Sequence, residues 1–352
     1  MSNHKFNLRA LQPSDSPALV KLISDFDGDM VTQFQVDAYD ALIFGTENRT
    51  VGVGVECAGV EGLVGLGTVR FSQVQFNDET LPLAFLDGLK VHKDFRGQGL
   101  GYRIASWRIQ QAREAFGDRC VIATGLLRSN ATSRGVARKW CREFIDAAYQ
   151  PLFFPVRASP PKPLDGVCVR EIKPGEDTEF VQKQNAYYHN YNLFPPGDAH
   201  SIARALDVTA DGQKPYRFFA AVDARGSLLA GAQIWCRGLL ESDRFLNLPP
   251  PMRLLNKVAH ILPSDFILRD AAVIGLWYEQ GQPKTSLFLW ESLRWELKDQ
   301  ATTLAIALDP LDPLRQVVPP KPLLMPRIEI TVALHGPAPI DREKLLFGYG
   351  RV

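Results

Sequence analysis

The residues best suited to chemistry lie in one stretch, Leu83 to Gly101 (LAFLDGLKVHKDFRGQGLG), where a strand ending at Val91 is followed by Arg96-Gly97-Gln98-Gly99-Leu100-Gly101 and then an amphipathic helix. Closely spaced glycines let the backbone approach a ligand, and the first-turn amides of a helix have no intrahelical partners. The helix dipole adds about half a positive charge at the same place, so the segment predicts an anion site suited to a pyrophosphate. Spacing separates it from two other phosphate loops. A dinucleotide fingerprint needs GxGxxG directly after its strand, whereas here the glycines fall six, eight and ten residues past Val91, and the Gly-Lys-Ser/Thr of a Walker loop is missing. A glycine-rich turn that binds nothing is the remaining alternative. The same strand carries Asp87, its one acidic residue. Partial burial there would raise the Asp87 pKa toward neutrality, as a general base requires. The competing reading is a strand-end carboxylate fixed by a local hydrogen bond.

The elements that must position these groups follow from periodicity. Ala105, Ile109, Ala112 and Phe116 share one face of a helix from about Leu100 to Phe116. Strands are expected at Val51 to Cys57, Leu63 to Phe76 and Leu83 to Val91, then an apolar run from Cys120 to Leu127. Further helices are expected at Pro17 to Phe26, near Val36 to Phe44 and from Ala131 to Arg142. In the second half the strand candidates are Tyr216 to Val222, Leu228 to Cys236, Ala271 to Tyr278, Thr303 to Leu308 and Ile328 to Leu334. A helix from Thr285 to Asp299 aligns Leu287, Trp290, Leu293 and Leu297 as a core stripe, and the insertion Glu241 to Leu262 reads as surface structure. The fold class is therefore α/β, with a mixed α+β sheet.

The chain also repeats itself. Leu8-Arg9-Ala10-Leu11-Gln12-Pro13 with Asp15 is echoed by Val169-Arg170-Glu171-Ile172-Lys173-Pro174 with Asp177, each reading as a short strand, a proline stop and a helix cap. Between them Pro151 to Gly166 (PLFFPVRASPPKPLDG) carries five prolines, a density that neither a helix nor a central strand accepts. The expected organisation is residues 1–155, a proline-rich linker over 156–166, and a second unit over 167–352.

The chain at this point resembles the GNAT superfamily of acyl-CoA-dependent N-acetyltransferases, whose R/Q-x-x-G-x-G/A loop is matched by Arg96 to Gly101 between a strand and a helix. The likeness covers about residues 5 to 150 by motif and the second half by strand order. The tandem layout, with LAFLDGLKVHKDFRGQGLG, VIATGLLRSNATSRGVARKW and later Arg253 to Pro263, is similar to the hookless-type and histidine acetyltransferase-like groups. The resemblance implies two tandem GNAT-like units, the second degenerate, and direct acetyl transfer from acetyl-CoA to an amine. It implies that Leu86 to Val91 splays from Cys120 to Leu127, with pantetheine pairing to the backbone around Leu89 and Val91. The pyrophosphate would rest on the amides of Arg96, Gly97, Gln98, Gly99, Leu100 and Gly101, helped by the Arg96 charge. Asn130 would touch the pantetheine arm; by its own chemistry it is equally a helix N-cap. The amide near Leu89 would stabilise the developing oxyanion.

Departures from the family pattern qualify the site. A tyrosine often stands seven residues after the asparagine to protonate the leaving thiolate, and here that position is Ala137. Cys141 is a weak substitute and Tyr149 has no evident place. In the second unit Leu276 to Lys284 offers one glycine, with Glu279 and Pro283 where donors should be, so that unit is expected to buttress the first and supply part of an acceptor pocket, for which Tyr187 to Tyr191 and Phe347 to Tyr349 are lining candidates.

Composition bounds the reading. The 352 residues are 45% hydrophobic and 22% charged, which excludes disordered, collagenous and membrane-spanning classes. Forty Lys and Arg against 39 Asp and Glu leave a net charge of +1, without the basic surplus that nucleic acid or anionic membrane would call for. The five cysteines lack CxxC spacing and read as small buried hydrophobes in a reducing, cytoplasmic setting. The six histidines form no ligand-spaced set, so no metal is expected. The expected partners are acetyl-CoA and a small primary amine or amino acid, with neither nucleic acid nor membrane and with a homodimer left open. Two alternatives stand beside this: a catalytically silent acyl-CoA-binding module, and an acetyltransferase of protein N-termini or lysines.

Overall fold

The computed structural model describes residues 5–24, 30–34, 50–209, 212–247, 254, 256, 263–320 and 328–348. The first half runs β1 (Phe6–Ala10), α1 (Ser16–Ser24), β2 (Met30–Phe34), β3 (Thr50–Cys57), β4 (Leu63–Phe76), β5 (Glu79–Val91), α2 (Leu100–Phe116), β6 (Val121–Leu127), α3 (Ala131–Ala137) and β7 (Glu143–Pro155). The second runs β8 (Val167–Glu171), α4 (Asp177–Tyr188), β9 (Tyr191–Asn192), α5 (Ala199–Asp207), β10 (Tyr216–Asp223), β11 (Leu228–Trp235) and β12 (Glu241–Phe245). It continues through β13 (Ile267–Leu268), β14 (Asp270–Tyr278), α6 (Pro283–Glu296), β15 (Thr303–Leu308), β16 (Ile330–His335) and β17 (Leu345–Leu346). The helix expected near Val36 to Phe44 and the Pro249 to Pro251 part of the insertion lie outside the described residues.

Twelve strands form one mixed sheet in the order β1-β3-β4-β5-β6-β16-β7-β15-β14-β11-β10-β8. The two halves are stitched by exchange: β16, from the C-terminal end of the chain, lies between β6 and β7, and β7 in turn pairs with β15. A second seam is a small sheet in which β2 pairs with β12, so part of the insertion from Glu241 onward is strand. No helix among the described residues is long and apolar enough to cross a membrane.

The β4–β5 hairpin turns on Asn77 and Asp78, both left-handed at φ 49° and 72°, as a two-residue turn requires. Its faces alternate cleanly. Val69, Ala84 and Leu86 pack with Ile109 and Ala112 of α2, whereas Leu83 and Phe85 pack on the other face with Tyr149, Val332 and Leu334. Ile104 of α2 is fully buried, and its burial contributes on the order of 2 kcal/mol.

Several expectations need correction. Pro151 and Pro155 sit inside β7, a central strand. The strand accepts them because both fall on the same parity, so both missing donors face one edge, and the β16 partner on that side already ends at Ile330 opposite Tyr149. The helix from Ala131 stops at Ala137, since the Arg142 amide is taken by Leu334 O as the chain turns into β7. In α6 the buried stripe is Leu289, Trp290, Leu293 and Leu297, with Leu287 exposed. Cys168 is exposed as well, unlike the buried Cys57, Cys120 and Cys236. Helix α4 follows the cap expected near Asp177, α5 was not anticipated, and Tyr188 and Tyr191 are core residues packed with Phe194 and Phe347.

The internal repeat is carried by matching interactions. Arg9 grips Asp15 with two hydrogen bonds of 2.7 Å, and the Asp15 carboxylate also accepts the Gln12 amide. Arg170 grips Glu176 the same way, and Glu176 accepts the Lys173 amide, so Glu176 rather than Asp177 is the counterpart of Asp15. The Arg170 hydrogen bonds hold the Glu176 carboxyl down at about 2. Phe85-Leu86-Asp87-Gly88-Leu89-Lys90-Val91 likewise corresponds to Ala272-Val273-Ile274-Gly275-Leu276-Trp277-Tyr278, with the glycine left-handed in both, at φ 61° and 65°.

Candidate active site

Strands β5 and β6 pair in parallel only at Leu83–Val121, Ala84–Ile122 and Phe85–Ala123. Beyond Phe85, β5 stays with β4 as far as Val91 opposite Gly65, while β6 continues on β16. The two arms, Leu86 to Val91 and Thr124 to Leu127, open a wedge, spanned near its apex by the Thr124 hydroxyl donating to Leu86 O at 2.7 Å. A strand edge left unpaired in this way offers its N–H and C=O groups to an extended ligand.

A bulge shapes the β5 arm. The register against β4 slips between Leu66 and Thr68, and the extra residue is the left-handed Gly88. The slip resets the side-chain alternation: Leu86 packs toward α2, and after the bulge Leu89 and Val91 do so again, with Leu100 and Ile104. Asp87 therefore stands on the opposite face, beside Arg70 and Phe85. Its Oδ1 accepts the Gly88 amide at 2.9 Å, and its Oδ2 lies 3.4 Å from Arg70 Nη2. The side chain is partly buried, at 26% exposure, and faces the Arg70 guanidinium, and its bond from the Gly88 amide is a local hydrogen bond of the kind the competing reading expects.

Behind the bulge lies Arg108 of α2, almost wholly buried. Its Nη1 donates to Thr68 O at 3.1 Å and to Asp87 O at 2.9 Å. Burial lowers its pKa to about 10, and the nearby Asp87 charge opposes that shift. Gly67 makes room for it: a Cβ there would come 2.6 Å from Ile104 Cγ2 and 3.1 Å from Arg108 Nε.

The loop to α2 is exposed from Arg96 to Gly99, whereas Leu100 is buried and anchors it. Gly97 and Gly99 are left-handed, at φ 77° and 76°, with open space where a Cβ would stand, and Gly99 is the N-cap of α2. Arg103 N–H is the first in the helix to reach a backbone acceptor, Gly99 O at 3.2 Å, so the amides of Leu100, Gly101 and Tyr102 lead the helix without intrahelical partners. The Arg96 amide is not among the available donors, because it bonds Lys93 O at 3.2 Å, and the Arg96 Nε donates back to Val91 O. Gly101 permits the close approach of α3: a Cβ would lie 3.3 Å from Val136 Cγ2. Asn130 is exposed and caps α3, its Oδ1 accepting the Ser133 amide at 2.9 Å. Leu86 to Gly101 thus runs without a break from the β5 arm through the glycine loop into the first turn of α2, and Asn130 lies three residues beyond the end of the β6 arm.

On the β6 arm the hydroxyl of buried Tyr149 reaches the backbone at Gly125, where a Cβ would stand 2.7 Å from it. Ala137, at the family position for a tyrosine, is the last residue of α3. Sequence reasoning missed Arg108 and Arg70, and it weighed Tyr149 without finding it a place. Only Arg108 had a legible signal, as a cation on the apolar α2 stripe between Ile104 and Ala112.

The second unit has the same wedge. Strands β14 and β15 pair in parallel only from Asp270 to Val273 against Thr303 to Ile306. Side chains of α4 fill the space beyond: Gln184 Nε2 donates to Gly275 O at 3.1 Å and the Tyr188 hydroxyl to Leu276 O at 2.5 Å. Pro283 begins α6, and Glu279 is ion-paired with Lys183.

Residues 21–141 match the acetyltransferase (GNAT) family. No curated protein matches the chain in sequence. Among solved structures, N-myristoyltransferase of Saccharomyces cerevisiae with bound myristoyl-CoA is similar over 96% of this chain and 83% of that one, at 8% identity and a TM-score of 0.65. The same enzyme with myristoyl-CoA and inhibitors reaches a TM-score of 0.68 at 9% identity, over 96% of this chain and 80% of the other. A GCN5-related N-acetyltransferase from Kribbella flavida gives 0.53 at 15% identity, over 93% and 71% of the two chains. At such identities the likeness is one of fold.

Proposed function

We propose that this chain, whose residues 21–141 match the acetyltransferase (GNAT) family, is an acyltransferase that moves acetyl from acetyl-CoA to a primary amine of a small molecule or amino acid by direct attack. The observation that carries this reading is the wedge between Leu86–Val91 and Thr124–Leu127, adjoined by the glycine loop and the first-turn amides of α2 from Leu100 to Tyr102, which have no intrahelical partners. Pantetheine adds to the β5 edge at Leu89 and Val91, the diphosphate rests on the glycine loop, and Asn130 flanks the arm. Acetyl rather than a long acyl chain is favoured by Phe85 and Tyr149, both buried in the cluster beneath the wedge, where a longer chain would need space.

In the reaction the amine nitrogen attacks the thioester carbonyl carbon, forming the C–N bond as the carbonyl π pair moves to oxygen. The Leu89 amide, turned by the bulge, stabilises that oxyanion. Asp87 accepts the proton released by the amine, directly or through one water. Collapse of the intermediate breaks the C–S bond and expels CoA thiolate, which the Tyr149 hydroxyl at the β6 arm protonates. The domain division at 156–166 belongs to the same proposal: the first unit holds acetyl-CoA, and the second, its own wedge filled by Gln184 and Tyr188, buttresses it.

The test is CoA release during incubation with acetyl-CoA and a panel of small amines, amino acids and peptides. Amine-dependent release with small acceptors supports the proposal. Acetyl-CoA binding without release across the panel favours a silent binding module, and turnover confined to peptides favours a protein acetyltransferase.

A further inference from the structure

We infer that Arg108 is a positioning residue for acyl transfer, fixing the β5 bulge and setting a buried positive charge behind the oxyanion site. The inference rests on the proposed reaction. A bulge takes carbonyls out of the ladder, and a buried carbonyl without a donor is costly. The register slip opposite Gly88 does this to Thr68 O and Asp87 O, on adjacent strands, and one buried nitrogen, Arg108 Nη1, serves both at 3.1 and 2.9 Å. The Thr68 hydroxyl adds a second bond to Asp87 O at 3.2 Å. Asp87 and Gly88 immediately precede Leu89, so the clamp fixes both the base and the amide that faces the wedge.

A neutral side chain would satisfy two carbonyls at lower desolvation cost. Arg108 nevertheless carries a charge while only 3% exposed, forms no ion pair among the described residues, and has a buried Nε that finds no acceptor. Gly67 is kept free of a side chain where that guanidinium passes. A cation held in a dry site gains its value where negative charge develops, and here that is the thioester oxygen one peptide beyond the clamped carbonyl. The second unit differs: Gln184 and Tyr188 bond Gly275 O and Leu276 O, the counterparts of Gly88 O and Leu89 O, and among the described residues no buried cation bonds Ile274 O, the counterpart of the clamped Asp87 O.

The experiment compares Arg108→Met, Arg108→Gln and Arg108→Lys with the unaltered protein, measuring kcat, KM for acetyl-CoA, CoA affinity by calorimetry, and melting temperature. Arg108→Met is expected to lower kcat about 100-fold, with KM and CoA affinity within about threefold, and Arg108→Lys to regain most of the loss. Equal kcat in folded Arg108→Met and the unaltered protein overturns the inference, as does a loss of CoA affinity that matches the loss of kcat. If Arg108→Met does not fold, Arg108→Lys should exceed Arg108→Gln in kcat about tenfold, and equal rates overturn the inference. Absence of turnover in the unaltered protein would instead refute the proposed reaction itself, a result distinct from any of these.

Discussion

Replacing Gly99 by Glu tests the phosphate loop most directly. Gly99 has φ 76° and nothing within 4 Å of the position a Cβ would take, so the substitution meets no steric obstacle. Two terms remain. A non-glycine residue in the left-handed region costs about 1 kcal/mol. A carboxylate about 6 Å from the two charges of a diphosphate, at the dielectric of water, adds about 1.4 kcal/mol. Together they predict roughly 50-fold weaker binding of CoA at low salt. Gly99→Ala keeps only the backbone term and should weaken binding about fivefold. Screening at 1 M salt, where the Debye length is about 3 Å, should bring the glutamate variant close to the alanine variant. Acetyl-pantetheine, which lacks the diphosphate, should bind all three proteins alike. Titration calorimetry at two salt concentrations reads every arm. If Gly99→Glu lost affinity equally for CoA and acetyl-pantetheine, or bound CoA normally, the diphosphate would not lie on this loop.

Further expectations concern the acid–base groups. Asp87→Asn keeps an acceptor for the Gly88 amide but removes the base, so kcat should fall about 100-fold or more while CoA affinity holds; an unchanged rate across the pH range would exclude Asp87 from this role. Tyr149→Phe should lower kcat by only about tenfold, because a thiolate leaves readily near neutral pH, and proton inventory against acceptors of different basicity would reveal whether the tyrosine acts at the leaving step. Asp312 is buried, and burial raises its pKa to about 6, with Asp309 adding to the shift against the bond from the Leu314 amide. A carboxyl raised above its unfolded value contributes stability that is fully present below about pH 4 and lost as pH rises through 6, by about 3 kcal/mol at most. Asp312→Asn should therefore be more stable than the unaltered protein at pH 7 and show a shallower pH slope between 4 and 7 in urea unfolding; parallel slopes would refute the assignment.

Local features of the fold were legible because local physics specifies them. Alternating residues and the Asn77-Asp78 turn define the β4–β5 hairpin, and the glycine spacing after Val91 defines the loop and the start of α2. The repeat was visible at Arg9 and Arg170, although the carboxylate that completes the second clamp, Glu176, lies one residue before the expected one. Helix α3 ends earlier than expected and strand β7 was not expected, since the Arg142 amide bonds Leu334 O, on a strand roughly 200 residues away.

The sequence by itself determined where chemistry could be placed: a glycine loop entering a helix, and one acid on the strand before it, both consequences of backbone freedom and side-chain type within a short span. Only the tertiary structure decided what surrounds them. That β16 is threaded between β6 and β7 depends on contacts across roughly 200 residues, as does the pairing of β2 with β12. The parting of β5 from β6, the turning of Asp87 toward Arg70 and the burial of Arg108 behind the bulge follow from a one-residue register slip against β4. Such a slip leaves little mark in hydrophobic pattern, because it is set by which strand lies next door and not by the residues of the strand alone.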